Sequence, residues 1–299
     1  MKVVLFCGGL GTRLREYSET IPKPMVTIGH RPIIWHLMKY YAHYGHKDFI
    51  LCLGYRGDLI RQYFLNYEEC ISNDFVLSNG GRDVELFGRD IEDWRITFAD
   101  TGVHATVGQR LKAVEKYLAG EEMFMANYSD GVSDLPLPEY LDHVRAKDKV
   151  ASFLCVRPSQ SFHVVSLDRG GMVTDLLPVR ESSFLINGGF FVFKKAIFDY
   201  LRTGEELVEE PFRRLIDKGE LLGYPYEGFW AAMDTLKDKQ AFDEMESQGR
   251  TPWAVWQGVD REVTADDGNR PPAKVLPRSL GGRDATGDPP RRIRAVQGE

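Results

Sequence analysis

The sequence predicts an α/β fold in which a mostly parallel sheet is flanked by helices. Short apolar runs alternate with amphipathic segments along the first half of the chain, and this alternation is typical of a sheet covered on both faces. The first apolar run, residues 2–7, opens directly into a glycine turn. The 299 residues and the 43% hydrophobic content suffice for one large core, so we expect one principal domain.

Apolar runs and helical spacing define the elements of the first half. Three segments have apolar residues at the spacing of a helix face, and the first begins with Pro32, which a first helical turn tolerates. The predicted strands are residues 2–7, 48–53, 95–99 and 123–127. The predicted helices are Pro32 to Tyr44, Asp58 to Tyr67 and Gly108 to Leu118.

After Asp148 the pattern becomes β-rich, which predicts a smaller β-rich lobe on the same core. Its predicted strands are residues 150–156, 163–167, 172–177 and 186–193, and predicted helices near 211–218 and 235–247 close the fold. We therefore expect a domain over residues 1–257, divided into parts 1–148 and 149–257.

Residues 258–299 mix proline, glycine and both charge signs without apolar periodicity. Such a segment cannot bury enough apolar surface to offset the cost of ordering its backbone. We predict a disordered tail there.

The turn after the first strand carries the strongest functional pattern. Gly8, Gly9 and Gly11 leave backbone N–H groups accessible to anionic oxygens. Arg13 and Lys23 add a forked and a point positive charge next to these amides. The pattern predicts a site for a triphosphate.

Two common glycine motifs and a purely structural turn fit this segment less well. In the dinucleotide-binding pattern GxGxxG, Leu14 replaces the third glycine, and no acidic residue ends a second strand at the distance that holds a ribose hydroxyl. A Walker A loop needs GK[ST] after the glycines, and none follows. A turn that serves backbone geometry alone does not account for Arg13 and Lys23 beside it.

Two aspartates that are far apart in the sequence form a second candidate group. Asp130 and Asp234 each follow a predicted strand, and the carboxyl ends of strands in an open α/β sheet border the ligand crevice. A magnesium ion that holds phosphate oxygens takes one or two carboxylates. The alternative is an Asx turn or a helix cap, in particular a cap by Asp234 on a helix that begins at Thr235. Asp134 is a weaker candidate.

The motif GGLGTRL followed by PKPM resembles the signature of the sugar-1-phosphate nucleotidyltransferases. Later motifs follow in an order that resembles the cytidylyltransferases of that family, and the resemblance covers about residues 1–257. These motifs are IGHRPIIWHLMKYY, DFILCLGYRGDLIRQYFLNY, DTG, RLKAV, YSDGVSD, INGGFFVF, GFWAAMDT and PWAVW. The resemblance implies a Rossmann-like sheet of the nucleotide-diphospho-sugar transferase type, with the β-rich lobe on the sugar side.

The resemblance also implies an activity and its substrates. CTP and a sugar 1-phosphate, first of all glucose 1-phosphate, would give a CDP-sugar and pyrophosphate, with Mg²⁺ as cofactor. Another nucleoside triphosphate, or another acceptor such as a cyclitol 1-phosphate, stays open. The alternative of another class is a catalytically silent regulator that binds nucleotide sugars.

Individual roles follow from the same resemblance. Arg13 and Lys23 would be catalytic, with Arg13 and the loop amides at the β- and γ-phosphates and Lys23 at the α-phosphate. Asp130 and Asp234 would hold Mg²⁺. The implied nucleotide-binding residues are Leu5, Gly8, Gly9, Gly11, Thr12, Arg13, Lys23, Thr101, Gly102 and Arg110. The implied sugar-phosphate residues are Tyr128, Arg180, Asn187, Gly188 and Glu210.

Several of these residues have a structural alternative. Arg110 fits a solvated helix face, Gly188 fits a β-bulge, and Glu210 fits the acidic first turn of a helix. His36 and His43 lie at helical spacing without a carboxylate partner and are expected to be structural.

One segment departs from the family pattern. Members that the chain resembles carry an EKP motif before the INGG strand, whose lysine holds the sugar phosphate, whereas this chain has LLPVRES. Arg180 is the nearest cation and Arg157 is a second candidate, although an arginine differs from a lysine in reach and geometry. The departure leaves the acceptor open.

Composition argues against several functional classes. The net charge of −6 does not favour nucleic acid as a partner. No apolar run has the length of a membrane span, and the chain starts with a strand where a signal peptide would need a basic lead. The four cysteines are scattered without zinc spacing, which favours thiols in a reducing cytoplasm. We also expect a homo-oligomer.

Overall fold

The computed structural model describes residues 1–9, 21–158 and 162–258, together with the backbone of 276–277. The strands are β1 (Val3–Phe6), β2 (Thr27–Ile28), β3 (Arg31–Pro32), β4 (Asp48–Leu53), β5 (Phe75–Ser78), β6 (Asp83–Leu86), β7 (Arg95–Asp100), β8 (Met123–Tyr128), β9 (Gly131–Ser133), β10 (Ala151–Val156), β11 (His163–Leu167), β12 (Val173–Pro178), β13 (Ile186–Asn187), β14 (Phe191–Lys194), β15 (Leu221–Tyr226), β16 (Trp230–Ala232) and β17 (Leu276–Pro277). The α-helices are α1 (Ile33–His43), α2 (Gly57–Leu65), α3 (Val107–Ala113), α4 (Leu137–Lys147), α5 (Glu210–Asp217) and α6 (Leu236–Ser247).

The larger of two compact units, residues 1–68 and 90–268, is built on an eight-stranded mixed sheet. Strand β1 is central and pairs in parallel with β4 on one side and β8 on the other. Its four residues, VVLF, are all buried, as a strand covered on both faces requires. This confirms the predicted α/β fold with a mostly parallel sheet.

Helices cover both faces of this sheet. On one face, α1 and α4 pack through residues such as Leu37 and Leu141. On the other face, α3 and α5 pack through Leu111 and Leu215. Helix α4 was not predicted, whereas α1, α2, α5 and α6 lie within two residues of their predicted bounds. The third predicted helix is shorter than expected, because α3 ends at Ala113. A separate 3-10 turn, Glu115–Leu118, covers the rest of the predicted range.

The β-rich second part extends the same sheet. Strands β10, β13, β14 and β15 join it, with β14 antiparallel to β8 and to β10. Since β14 is antiparallel to both β8 and β10, β10 runs in the same direction as β8. Strand β15 is parallel to β10 and therefore also runs in that direction. The hairpin of β11 and β12 is a separate two-stranded ribbon.

The strand predicted at 186–193 is interrupted. Residues 188–190 separate β13 from β14, and both Gly189 (φ 73°) and Phe190 (φ 49°) have left-handed backbone. Gly188 N–H donates to the carbonyl of Leu154, and Leu154 N–H donates to the carbonyl of Gly189. The predicted alternative of a bulge at Gly188 matches this geometry.

A short ladder outside the main sheet brings distant segments together. Strand β9 follows β8 after two residues and pairs antiparallel with β16, so that Gly131 faces Ala232. Beyond this pair, Met233 N–H donates to the carbonyl of Asp130 at 2.9 Å. Strand β16 lies where a strand was predicted before Asp234, whereas β9 was not predicted, because a three-residue strand carries no readable alternation.

His36 on α1 is structural, as expected. Trp253 Nε1 donates to His36 Nδ1 at 3.4 Å, and His36 Nε2 contacts the carbonyl oxygen of Ile28 at 3.1 Å. Burial lowers the pKa of His36 to about 4, so the ring is neutral near pH 7. The closing PWAVW motif thus packs onto α1 through Trp253, which is 1% exposed.

Among the described residues, 69–89 and the backbone of 276–277 belong to a second compact unit. Its described part is a three-stranded antiparallel sheet in the order β17-β6-β5. Of the predicted tail, the structure describes Gly258 and the backbone of Leu276–Pro277, which pairs with β6. The other tail residues lie outside the described residues, so the disordered tail stays a prediction. Within the described residues, no helix has both the length and the apolarity that crossing a bilayer demands.

Candidate functional site

A cavity of about 270 Å³ opens at the carboxyl ends of β1 and β8. Because β1, β4, β7 and β8 are parallel, these strands all end at this edge of the sheet. The residues that line the cavity are Phe6, Cys7, Gly8, Gly9, Lys23, Pro24, Val107, Tyr128, Ser129, Asp130 and Asp234. Most of the described nucleotide and metal candidates therefore border one space.

Lys23, Asp130 and Asp234 form the centre of this site. The Lys23 ammonium donates to Oδ1 of Asp234 at 2.6 Å and also to Oδ2 of Asp130. The side chains of Lys23, Asp130 and Asp234 are 18%, 23% and 35% exposed, respectively, so a ligand can reach them. Two carboxylates from separate segments thus converge on one point.

The position of each partner has a local cause. Lys23 begins a 3-10 turn, Lys23–Met25, and Pro22 and Pro24 on either side restrict the backbone. Asp130 lies two residues after the end of β8, and the ladder between β9 and β16 brings Asp234 next to it. The fold therefore holds the lysine and both carboxylates in place from three different segments.

The electrostatics of Lys23 favour a permanent charge. Burial lowers the pKa of Lys23, but Asp130 and Asp234 together outweigh burial and raise it above its ordinary value. The ammonium is therefore charged throughout the physiological range. Two converging carboxylates would otherwise repel each other, so the lysine stabilises their arrangement.

The helix-cap alternative for Asp234 is wrong. Thr235 is the N-cap of α6, because its hydroxyl accepts from Asp238 N–H and the Asp238 carboxylate accepts from Thr235 N–H in return. The Asp234 carboxylate points to Lys23 instead. Asp134 accepts from the Tyr226 hydroxyl at 2.5 Å and does not appear among the described residues of the cavity wall.

The described residues present no cluster of three or more His, Cys, Asp or Glu side chains that could hold a metal. The pair Asp130 and Asp234 is nevertheless a fitting donor set for a hard divalent ion. Both supply carboxylate oxygens within contact distance of a single cation, the Lys23 ammonium. Mg²⁺ prefers oxygen ligands and often takes one or two carboxylates, with phosphate and water completing its shell.

Gly8 contacts a buried arginine. A Cβ atom added at Gly8 would lie 2.1 Å from Nη1 of Arg110, and one added at Gly54 would lie 2.9 Å from the same atom. At Gly9 no atom lies within 4 Å of such a Cβ. The predicted residues Gly11, Thr12 and Arg13 lie outside the described residues.

The side chain of Arg110 is buried and joins the ends of two strands. Its side chain is 1% exposed, and its guanidinium donates to Thr101 Oγ1 (2.7 Å) and to the carbonyls of Gly102 (2.8 Å), Val103 (3.2 Å) and Leu53 (3.3 Å). The alternative of a solvated helix face is therefore wrong. Arg110 ties the ends of β4 and β7 to the glycine turn that follows β1. The sequence pattern did not reveal this, since a buried arginine is rare.

Tyr128 and Asn187 link the cavity to the β-rich side. The Tyr128 hydroxyl accepts from Nδ2 of Asn187 at 3.4 Å. Burial raises the pKa of Tyr128 to about 12, so it keeps its proton near pH 7. At Gly188 a Cβ would lie 3.1 Å from Val156 and 3.2 Å from Trp230 Nε1, which is closer than ordinary contact, so close packing favours glycine there.

Four predicted acceptor residues are absent from the described lining of this cavity, namely Arg180, Asn187, Gly188 and Glu210. Arg180 is 71% exposed in the 3-10 turn Val179–Glu181, next to Glu181. Glu210 is exposed in the first turn of α5, which matches its structural alternative. Leu5 is fully buried in β1.

Cys7, Val107 and Ser129 also line the cavity and were not predicted. The Ser129 hydroxyl donates to the carbonyl of Phe6 at 2.8 Å and joins the ends of β1 and β8. Burial raises the pKa of the Cys7 thiol to about 12, so it is not a nucleophile near pH 7. Cys7 is the last residue of the predicted strand 2–7, and Ser129 lies two residues after the predicted strand 123–127. Proximity to a predicted strand end was therefore the available signal for both.

A family model described as nucleotidyl transferase matches residues 2–238. The glucose-1-phosphate cytidylyltransferase of Salmonella typhi is 38% identical over 258 residues, which are 86% of this chain and 100% of the relative. The mannose-1-phosphate guanyltransferase of Saccharomyces cerevisiae is 26% identical over 246 residues, which are 80% of this chain and 62% of that protein. The crystal structure of apo UDP-glucose pyrophosphorylase superposes with a TM-score of 0.62 at 17% identity, covering 84% of this chain and 100% of the other.

The contact between Gly8 and Arg110 generates a test on stability. Replacing Gly8 by alanine puts a methyl group where the guanidinium lies, and that guanidinium is buried and hydrogen-bonded, so it cannot withdraw. We expect Gly8→Ala to lower the free energy of unfolding by about 1–3 kcal/mol, as overpacking does. Urea denaturation without nucleotide measures it.

Gly9→Ala is the matched control, because the added methyl group meets no atom within 4 Å. We expect its stability to stay within about 0.5 kcal/mol of the parent. Equal stability of the two variants would contradict the close packing of the Arg110 guanidinium against Gly8.

Proposed function

The chain belongs to the nucleotidyl transferase family, and on this premise we propose that it joins CTP to a sugar 1-phosphate, giving a CDP-sugar and pyrophosphate. The observation that carries the proposal is the Lys23 ammonium held between Asp130 and Asp234 at the wall of a cavity beside Gly8 and Gly9. A cation, two metal-type ligands and exposed turn amides are what a triphosphate requires. A silent regulator would not need all three.

The proposed cofactor is Mg²⁺. Members of this family generally use a divalent metal ion, and Asp130 and Asp234 supply the oxygen donors that Mg²⁺ prefers. When bound, the ion would neutralise charge on the triphosphate oxygens. The Lys23 ammonium must then exchange part of its contact with the carboxylates for contact with phosphate.

The reaction that these residues suit is an in-line displacement at the α-phosphorus. An oxygen of the sugar phosphate forms a bond to this atom, and the bond to pyrophosphate breaks on the opposite side. The acceptor phosphate is already an anion near neutral pH, so no general base is needed. The chain has to bring two anions together, and it does so by positioning and by fixed positive charge.

Individual nucleotide contacts complete the proposal. Lys23 faces the α-phosphate, and the amides of Gly8 and Gly9, with Gly11, Thr12 and Arg13, hold the β- and γ-phosphates. The base lies toward Thr101 and Gly102, a loop whose shape Arg110 fixes through its hydrogen bonds. Leu5 can contribute only through its backbone, since its side chain is buried.

Cytidine is proposed as the base because the relatives named for CTP chemistry are the more similar ones. The cytidylyltransferase of Salmonella typhi is 38% identical, whereas the guanyltransferase of Saccharomyces cerevisiae is 26% identical. For the acceptor we propose glucose 1-phosphate, bound near Tyr128, Asn187 and Gly188. Arg180 and Glu210 stay predictions, and a different sugar or a cyclitol 1-phosphate is the alternative.

We also propose that the enzyme is a cytoplasmic homo-oligomer. All four cysteines are free thiols, as a reducing compartment favours.

One face of the hairpin of β11 and β12 carries apolar side chains that stay largely exposed, among them Val165, Leu167, Val173 and Leu176. Such a ribbon gains stability when a second copy covers it. Light scattering that gives a monomeric mass at micromolar concentration would contradict the oligomer.

The decisive experiment is a pyrophosphate-release assay with Mg²⁺, crossed over four ribonucleoside triphosphates and a panel of sugar and cyclitol 1-phosphates. We expect the highest kcat/KM with CTP and glucose 1-phosphate, and no release after chelation of the metal. Pyrophosphate release with another nucleotide and acceptor would show that the proposed substrates, CTP and glucose 1-phosphate, are wrong. No release with any pair would favour the silent regulator.

Variants of the central triad test the site assignment. We expect Lys23→Ala and Asp234→Ala each to lower kcat/KM at least about 100-fold, the loss of roughly 3 kcal/mol of transition-state stabilisation. Asp142→Ala, an exposed change on α4, is the control and should keep activity. Circular dichroism checks the fold, and near-normal turnover by either triad variant would refute its assignment.

A further inference from the structure

The two carboxylates of the central triad share a cation that belongs to the chain itself. The Lys23 ammonium contacts Oδ2 of Asp130 and lies 2.6 Å from Oδ1 of Asp234. Carboxylate oxygens that converge in this way are also the ligands that a hard divalent ion prefers. A divalent ion that binds both carboxylates therefore competes with the ammonium for the same oxygen atoms.

The backbone holds the two carboxylates close together. Met233 N–H donates to the carbonyl of Asp130 at 2.9 Å, and Asp234 N–H donates to the carboxylate of Asp238 at 3.1 Å. Lys23 begins its 3-10 turn with a proline on either side, and proline restricts the backbone. The lysine can therefore change its side-chain direction, but it stays anchored beside both aspartates.

The donor set at this point is too small for a divalent ion alone. The described residues place no third His, Cys, Asp or Glu side chain with these two carboxylates. Mg²⁺ takes an octahedral shell, so triphosphate oxygens and water have to complete it. An ion without triphosphate would also have the Lys23 ammonium beside it, and two positive charges repel each other strongly at a partly buried site.

We propose that Lys23 takes the place of the divalent ion between Asp130 and Asp234 until the triphosphate binds, and so excludes the ion on its own. This inference rests on the proposed function, because it takes the two aspartates as metal ligands and a nucleoside triphosphate as the substrate. The lysine neutralises the carboxylates first and the phosphate afterwards. Binding of the ion and binding of the nucleotide are then coupled, and each raises the affinity for the other by the same factor.

The exchange needs no movement of the backbone. Lys23, Gly8 and Gly9 line the same cavity, so the ammonium borders the space in which the turn amides would hold phosphate. Its side chain is 18% exposed, and those of Asp130 and Asp234 are 23% and 35% exposed. A rotation of the lysine side chain toward phosphate therefore leaves both carboxylates open to the ion that arrives with the nucleotide.

Binding of Mn²⁺ without nucleotide tests the exclusion. Mn²⁺ suits the same oxygen ligands as Mg²⁺, and electron paramagnetic resonance measures its free concentration. We expect Lys23→Met, which keeps the long apolar stem but removes the charge, to bind Mn²⁺ at least about 10-fold more tightly than the parent, because a charge-assisted contact no longer competes. Lys23→Arg keeps the charge and should bind Mn²⁺ as weakly as the parent.

Lys194→Ala is the matched control. The Lys194 ammonium contacts one carboxylate, that of Asp148, at 2.6 Å, so its removal does not leave a pair of carboxylates for an ion. We expect its Mn²⁺ affinity to equal that of the parent.

Thermal unfolding without nucleotide supplies a second measurement. A ligand that binds the folded state raises the Tm. We therefore expect MgCl₂ to raise the Tm of Lys23→Met and to leave the Tm of the parent and of Lys194→Ala unchanged, each relative to the same ionic strength of NaCl.

The outcomes separate this inference from the proposed activity. Equal Mn²⁺ affinity of the parent and Lys23→Met overturns the inference, whether or not the parent releases pyrophosphate. Binding by Lys23→Arg as tight as that by Lys23→Met also overturns it, because charge would then not be the cause, and so does a similar gain in Lys194→Ala. If Lys23→Met alone gains Mn²⁺ affinity but the parent releases pyrophosphate with no substrate pair, the inference stands and the activity falls.

Discussion

The contact of the Lys23 ammonium with the carboxylates of Asp130 and Asp234 is the interaction on which the site depends. Two negative charges cannot be held together at a partly buried edge without a positive charge between them. The lysine supplies that charge from a segment 107 residues before one aspartate and 211 before the other. In the proposed function, the same three groups would engage a magnesium-bound triphosphate.

The sheet explains why these groups can meet. Parallel strands end at one edge, and β1 and β8 lie side by side there. The ladder of β9 and β16 then fixes Asp234 against the segment that follows β8. Arg110 adds a second constraint, because its hydrogen bonds join the loop after β7 to the end of β4. The glycine turn after β1 thus packs against a buried guanidinium whose Nη atoms donate to three carbonyl oxygens and one hydroxyl. Its Nε has no hydrogen-bond partner among the described residues.

In the proposed site, the acceptor side has a different physical basis from the phosphate side. The proposed phosphate contacts come from backbone amides at the ends of strands. The proposed acceptor contacts come from residues around the bulge at Gly188, where a Cβ would crowd Val156 and Trp230. Arg157 and Arg180 near this bulge are half-exposed and exposed, respectively, so either can be replaced without disturbing the core.

Local patterns in the sequence were enough to predict the fold class and most of the long elements, although not α4 or β15. Apolar periodicity, glycine placement and adjacent charges are local properties of the chain. Most candidate site residues were implied by the resemblance to a family. Tertiary structure decided which residues meet. Contacts between distant segments bury Arg110 at the strand ends and place Arg157 rather than Arg180 in the wall of a cavity. The cap of α6 is instead a local contact, because Thr235 pairs with Asp238 three residues later. No local pattern encodes the contacts between distant segments, because burial and partner choice arise only when strands and helices pack together.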